Sequence, residues 1–427
     1  MSASVKGFKD SYGACGSVFE NIYFVSGKRT AFGKMNGTLS TVSPTDLAIL
    51  SSKACLKASG IDGTKVDQVI ASNIAQCSED AFFLPRHIGL YAGAKLGVPA
   101  LLSQRICGSG IEIIAQACEQ IGMGKGDCIL SVGTETMSRM PLVSFTARTG
   151  FALGRPEYSD MLWEALNDTA ATPMGETADN LAKKYGLSRV EVDEVSLRSQ
   201  QRYQKACESG FFDDEIVGVD PRGSFDGAKH LPDLKTRKYK TKTRAKESFV
   251  KDEHPRMGTM ESLGKLPFVF SKSGPTTAGS ASGIVDGACA SIICSKEFLE
   301  ENQLQAMGKI KAAVSVGVDP SLMGEGPVPA IKALLAGSGM GISEIDLFEI
   351  NEAFGAQVLS CAKALEIDQE KLNINGGSIA IGHPLGATGV RLVLTLLRSL
   401  KQLDKRYGVA SACIGGGQGI AMLVERV

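Results

Sequence analysis

The sequence predicts an α/β fold made of two similar halves with a polar segment inserted between them. Three observations carry that expectation. From Asn21 onward, short apolar runs alternate with longer helical patterns, the grammar of sheets covered by helices. Runs such as 66–71 and 128–133 are apolar at nearly every position, which suits strands buried on both faces. The order of elements also recurs. The run through Asp67 and Val69 to Asn73 resembles the run through Asp346 and Phe348 to Asn351, and each follows a Gly-Ile turn, at Gly60-Ile61 and Gly341-Ile342.

The elements follow in order. Residues 1 to about 19 carry no periodic pattern and read as a loose leader. Residues 22–25 read as a strand. A helix is expected over 44–58, with Pro44 at its first position and Ser43 as N-cap. A strand at 66–71, a helix at 111–122 and a strand at 128–133 complete the first half. From about 149 to 255 the alternation breaks down. This stretch is polar and charge-rich, with a helical pattern over 177–209, and reads as an inserted loop domain. Within it, 235–246 holds seven Lys/Arg and no acid; in an extended strand Lys238, Lys240 and Lys242 share one face. Such a run reads first as a solvated surface, and otherwise as a grip for an anionic group such as a nucleotide phosphate. In the second half a glycine-rich turn opens an apolar helix after His383, as one does after Cys107, and a strand is expected over 407–414.

Composition bounds the function. The chain has 427 residues and zero formal net charge, against a general nucleic-acid binder or a polybasic membrane-surface protein. No stretch approaches the ~18 uninterrupted apolar residues of a membrane span. Hydrophobic residues at 43% and charged residues at 22% exclude a mostly disordered chain. Eleven scattered cysteines form no CxxC pair and no zinc spacing with histidine, so no metal is expected and the thiols read as reduced. The N-terminus lacks a charged start followed by an apolar core, Asp10 and Glu20 argue against a transit peptide, and Glu425-Arg426-Val427 is not a Ser-Lys-Leu address. The expectation is a cytoplasmic protein.

Four constellations point to chemistry. Cys107 precedes Gly108-Ser109-Gly110 and then a helix. A thiol at a helix start meets unpaired N–H groups and the positive end of the dipole, which favour thiolate. A buried structural cysteine is the bland alternative. His383 lies in Gly376-Gly377-Ser378-Ile379-Ala380-Ile381-Gly382-His383-Pro384-Leu385-Gly386-Ala387-Thr388-Gly389; this matches neither G-x-G-x-x-G nor a P-loop, so a catalytic histidine is favoured over a phosphate cradle. Cys413 opens Cys413-Ile414-Gly415-Gly416-Gly417-Gln418-Gly419 after a strand, where a flexible turn can aim N–H groups at an oxyanion. Asn351 follows a strand in Asn351-Glu352-Ala353-Phe354, a place where polar groups meet ligands, although a helix N-cap is the common use of such an Asn.

Together these blocks resemble the thiolase family, in the family's order and from about Asn21 to the C-terminus. The loop Thr277-Ala278-Gly279-Ser280-Ala281-Ser282-Gly283 also matches. The resemblance implies a duplicated five-layered α-β-α-β-α core with an inserted loop domain. Its expected divisions are 1–148 with 257–298, 149–256, and 299–427. It implies Cys107 as the acyl-carrying nucleophile, His383 as its base and Cys413 as the second acid/base. Asn351 would hold a water in one oxyanion hole, with the N–H groups of Cys107 and Gly415 forming another. Coenzyme A, as substrate and with no tightly bound cofactor, would meet Ser282, Arg256, Phe270, Met174 and Met323. Two positions depart from the family pattern: Pro173 stands where His is common, and Ser280 where Asn is usual.

The implied activity is ping-pong cleavage of a 3-ketoacyl-CoA, most simply acetoacetyl-CoA, or the reverse condensation. A broad or long-chain 3-ketoacyl-CoA thiolase is the alternative, and a non-catalytic acyl-CoA-binding or assembly subunit a further one. A ketoacyl synthase is disfavoured because Cys413 stands where a histidine would be needed. The implied partners are acyl-CoA, coenzyme A and further copies of the chain, as a homodimer or homotetramer.

Overall fold

The computed structural model describes residues 2–151, 153–231, 233–242, 246–272 and 274–427. Its centre is one large mixed sheet assembled from two equivalent sets of strands. In the first half, Ala100–Leu102, Gln68–Ser72, Cys128–Thr136, Val285–Ser295 and Ile22–Thr30 lie side by side in that order. In the second, the order is Leu347–Ile350, Tyr407–Ile414, Gln418–Arg426 and Gly308–Gly317. Each half has a parallel pair followed by two antiparallel strands: Gln68–Ser72 with Cys128–Thr136, and Leu347–Ile350 with Tyr407–Ile414, are the parallel pairs. The sets meet where Gly308 and Lys309 pair with Phe24 and Tyr23.

Helices make the remaining layers, and the alternation of side chains along each strand decides which helix each face meets. Leu130 packs outward with Leu47, Ile49 and Leu56 of helix Pro44–Ser59. Its neighbour Ile129 faces the other way, into a core with Ile113 and Ile114 of helix Ser109–Gly122 and Leu392 and Val393 of helix Leu385–Gln402. Ala412 closes that central core from the second half, whereas Val409 and Cys413 face Ile331 and Val358 of helices Pro327–Ser338 and Gly355–Leu365. The sequence of layers is α-β-α-β-α. Each such buried Leu or Ile contributes about 1.5–3 kcal/mol.

The two central helices cross tightly at glycines. A Cβ at Gly110 would stand 2.5 Å from the backbone N of Val390, and one at Gly389 would stand 2.2 Å from that of Ile111. This crossing brings together the helix starts that follow Cys107 and His383.

Three expectations need correction. Residues 4–20, read as part of a loose leader, are ordered: Ser4–Lys9 and Cys15–Glu20 form a hairpin, and Cys15–Glu20 pairs with Gly308–Gly317. Its turn is built by Asp10, whose Oδ1 accepts from the N–H groups of Tyr12, Gly13 and Ala14 at 2.9 Å each. The helical pattern over 177–209 is two helices. Met174–Tyr185 ends at Gly186 (φ 61), and Arg189–Glu208 begins at Ser188, which forms a capping box with Glu191. The strand expected at 22–25 runs on to Thr30, because the charge of Arg29 is absorbed inside the protein. Its guanidinium meets Glu215 at 2.6 Å and Asp252 at 2.7 Å, all three buried. Among the described residues, no helix is long and apolar enough to cross a membrane.

Candidate active site

Cys107 lies in a single 3-10 turn, Ile106–Gly108, that leads into helix Ser109–Gly122. The turn is strained: Ile106, a β-branched residue, has φ 42, a region such side chains rarely enter. The Ser109 hydroxyl holds it closed, accepting from the N–H of Arg105 and donating to the carbonyl of Ile106, both at 2.7 Å. The Gly415 N–H donates to the thiol. Burial nevertheless pushes the thiol up, to about 11, with the Glu135 carboxylate adding to the effect. The helix-start argument expected a thiolate; burial outweighs it, so the resting group is a thiol that needs a base.

Cys413 occupies the end of strand Tyr407–Ile414 and is wholly buried. Burial, and then the neighbouring Cys107 thiol, push it well above the ordinary thiol range. The two sulfurs are therefore electrostatic neighbours, and Gly415, two residues after one, donates to the other.

His383 is buried, and its tautomer follows from its partners. Nδ1 lies 2.6 Å from the Thr388 hydroxyl, whose only hydrogen goes to the carbonyl of Pro384 at 3.0 Å. With its hydrogen on Pro384 the hydroxyl accepts from the ring, which assigns the proton to Nδ1 and leaves Nε2 as the free base. Burial, with Arg391 nearby, lowers the imidazole to about 3, so it rests neutral. Asn351, just after strand Leu347–Ile350, places Nδ2 3.4 Å from that Nε2.

The loop of residues 277–283 is stitched to both groups. The Ser282 N–H donates to Ala353 at 2.9 Å, and the His383 N–H donates to Gly283 at 2.9 Å. Ser282, His383, Met174, Arg256, Phe270 and Trp163 line one cavity of about 750 Å³. Phe270 lies edge-on to Phe354, with ring centroids 5.8 Å apart. Arg256 is exposed at this cavity and also borders an adjoining hollow of about 220 Å³. Met174 reaches back toward the thiols: a Cβ at Gly415 would stand 3.3 Å from its sulfur.

The structure thus groups Cys107, Cys413 and Gly415 in one cluster and His383, Asn351 and Ser282 in another, with Met174 bordering both. Met323 is the exception. It is 2% exposed, packs in the second-half core and does not line the cavity. Pro173 lines the cavity without a donor, and Ser280 is turned inward, its hydroxyl accepting from the N–H of Thr277 at 2.9 Å. The basic run lies elsewhere, with Lys238, Lys240 and Lys242 around a separate open cavity of about 670 Å³. There Arg237 is paired with Asp46 and Asp80. Arg244 of that run falls outside the described residues. Sequence reasoning missed Thr388, Ser378 and Arg391. Their only signal is spacing, with Thr388 five residues after His383 on the helix it opens.

Comparison with known proteins decides the family. Residues 22–297 match the family model "Thiolase, N-terminal domain" and residues 304–426 match "Thiolase, C-terminal domain". The chain belongs to the thiolase family. It is 40% identical to the bovine (Bos taurus) mitochondrial 3-ketoacyl-CoA thiolase, over 96% of this chain and 99% of that one. It is also 40% identical to the acetyl-CoA acetyltransferase of Escherichia coli (strain K12), over 96% of this chain and all of that one. The crystal structure of human mitochondrial 3-ketoacyl-CoA thiolase in complex with CoA superposes with a TM-score of 0.88 at 40% identity, covering 95% of this chain and 98% of that one. The protein is a thiolase-family acyltransferase with the five-layered thiolase fold.

Proposed function

We propose that this thiolase cleaves a 3-ketoacyl-CoA with coenzyme A, or runs the reverse Claisen condensation, through an acyl-Cys107 intermediate. The reading is supported by a Cys107 thiol that burial keeps neutral and by a buried, neutral His383 whose Nδ1 lies 2.6 Å from the Thr388 hydroxyl, in neighbouring clusters that Met174 borders. His383 takes the Cys107 proton as the sulfur attacks the keto carbon. The carbon–carbon bond breaks, and Cys413 gives its proton to the departing acetyl-CoA enolate. The thiol of a second coenzyme A then gives its proton to the Cys413 thiolate and attacks the Cys107 thioester, releasing acyl-CoA as His383 returns its proton to the departing Cys107 sulfur. Gly415 and the Cys107 N–H stabilise one oxyanion; His383 and a water held by Asn351 stabilise the thioester oxygen of the enolate. Each such donor is worth about 3–4 kcal/mol in the transition state.

In this reading the pantetheine arm lies in the large cavity past Phe270, Met174 and Ser282, and the nucleotide passes Arg256 into the adjoining hollow. Acetoacetyl-CoA is the expected substrate. A longer-chain preference is the second reading, favoured by the apolar wall that Trp163, Leu166 and Met137 add to the cavity. No resident cofactor is required. The divisions 1–148 with 257–298, 149–256 and 299–427 describe the halves and the loop domain. The chain is expected to act in the cytoplasm as a homodimer or homotetramer. The sheet's edge strand Ala100–Leu102 and the exposed Phe82, Phe83 and Leu101 support self-association.

The test is cleavage of acetoacetyl-CoA and 3-ketohexadecanoyl-CoA side by side, with Cys107→Ala as control. Turnover of acetoacetyl-CoA, lost in the variant, is expected. Faster turnover of the long substrate would favour the second reading, and no turnover of either by folded wild type would reject the activity.

A further inference from the structure

Beneath Asn351 lies a buried polar chain that the mechanism above leaves unused. Arg391, on helix Leu385–Gln402, and Glu349, on strand Leu347–Ile350, are each 1% exposed and meet at 3.2 Å. A second guanidinium nitrogen of Arg391 lies 3.2 Å from the Ser378 hydroxyl, and that hydroxyl lies 2.7 Å from Oδ1 of Asn351. All the links are inside the protein, where no water can substitute for a missing partner.

The chain has a direction. A guanidinium only donates, so the Ser378 oxygen accepts from Arg391, and its single hydrogen is left for Oδ1 of Asn351, 2.7 Å away. The Asn351 atom receiving it must be an acceptor, which is the carbonyl oxygen. The other end of the amide, the NH2 group, is thereby turned toward Nε2 of His383, 3.4 Å away. The reversed amide would take away the acceptor of the Ser378 hydrogen and set two acceptors against each other at His383.

We propose that Ser378, polarised by Arg391, is a positioning residue that fixes the Asn351 amide with its NH2 toward His383 and toward the water that Asn351 holds for the thioester oxygen. This rests on the catalytic reading of Asn351 and His383 given above and adds the source of their orientation. Without the relay, the amide samples both orientations. In the reversed one a carbonyl oxygen replaces the NH2 group on that side, and the oxyanion hole loses a donor. The same oxygen faces Nε2 and favours the protonated imidazole, since a hydrogen bond to the charged form stabilises it.

The test is Ser378→Ala, with Ser378→Thr as the conservative rescue and Asn351→Ala measured in parallel. In Ser378→Ala, kcat for acetoacetyl-CoA cleavage is expected to fall about tenfold or more while KM changes less than about twofold. The acidic limb of the kcat/KM profile should move up by about one pH unit, and the hydroxyl of Ser378→Thr should restore both. If Ser378→Ala does not fold, Ser378→Cys, close in volume but a weak donor, carries the same expectation in milder form. A folded Ser378→Ala with wild-type kcat and an unmoved acidic limb, beside a crippled Asn351→Ala, overturns this inference alone. Wild-type turnover in Asn351→Ala overturns the catalytic reading on which it rests.

Discussion

Replacing Thr388 with valine should disable the base without touching the nucleophile. The hydroxyl does two jobs: it accepts from Nδ1 of His383 at 2.6 Å and donates to the Pro384 carbonyl at 3.0 Å. Valine keeps the shape and does neither. The buried Nδ1–H loses its only partner among the described residues, at a penalty of about 1–3 kcal/mol. The ring escapes part of that penalty by moving its proton to Nε2, where Asn351 then faces a donor instead of an acceptor. Every molecule in that tautomer lacks a base toward Cys107. At about 1.4 kcal/mol per factor of ten, the penalty corresponds to a loss of about 5–150-fold. The assay is the pre-steady-state rate of Cys107 acylation by acetoacetyl-CoA at pH 8, with melting temperature followed alongside. Acylation should slow by at least fivefold, and Thr388→Ser should recover most of it. An acylation rate within twofold of wild type in a folded Thr388→Val would refute the tautomer argument.

Two further outcomes follow from the same geometry. His383 titrates at about 3 in the fold against an ordinary 6.5, so the unfolded chain binds the extra proton between those values and stability falls as pH drops through that window. Urea unfolding should show about 2–3 kcal/mol lost between pH 6.5 and 4.5 from this group, and His383→Gln should flatten that part of the slope; an identical slope would count against the neutral buried ring. Gly389→Ala should lower the melting temperature, because the new Cβ would sit 2.2 Å from the backbone N of Ile111. Overpacking of about 1–3 kcal/mol or more then outweighs the ~1 kcal/mol that alanine gains over glycine in a helix, and a rise in melting temperature would contradict the tight crossing.

The duplication was legible because both faces of each strand are buried and the same order of runs appears twice, ending at Asn73 and Asn351. The candidate reactive residues stood out because Cys107, His383 and Cys413 sit among glycines at element junctions. What stayed hidden depends on distant partners. The strand Cys15–Glu20 finds its neighbour in Gly308–Gly317, and nothing local announces that pairing. The strand read over 22–25 stopped short of Arg29, whose two carboxylate partners come from the inserted segment. Met323 carries a family-like motif, yet its side chain is spent on the core. The low thiolate character of Cys107 was also misread, since helix-start electrostatics are visible in sequence and burial is not. Ser378 and Arg391 matter through the direction of one hydroxyl hydrogen, which only three-dimensional contacts define.

The most direct test of the account is where the acyl group goes. Protein mixed with acetoacetyl-CoA, quenched in acid and digested should carry one acetyl thioester, mapped by mass spectrometry to the peptide containing Cys107, and free coenzyme A added before the quench should remove it. An acetyl group on Cys413 instead, or turnover of acetoacetyl-CoA by Cys107→Ala at the wild-type rate, would contradict the assignment of Cys107 as the nucleophile.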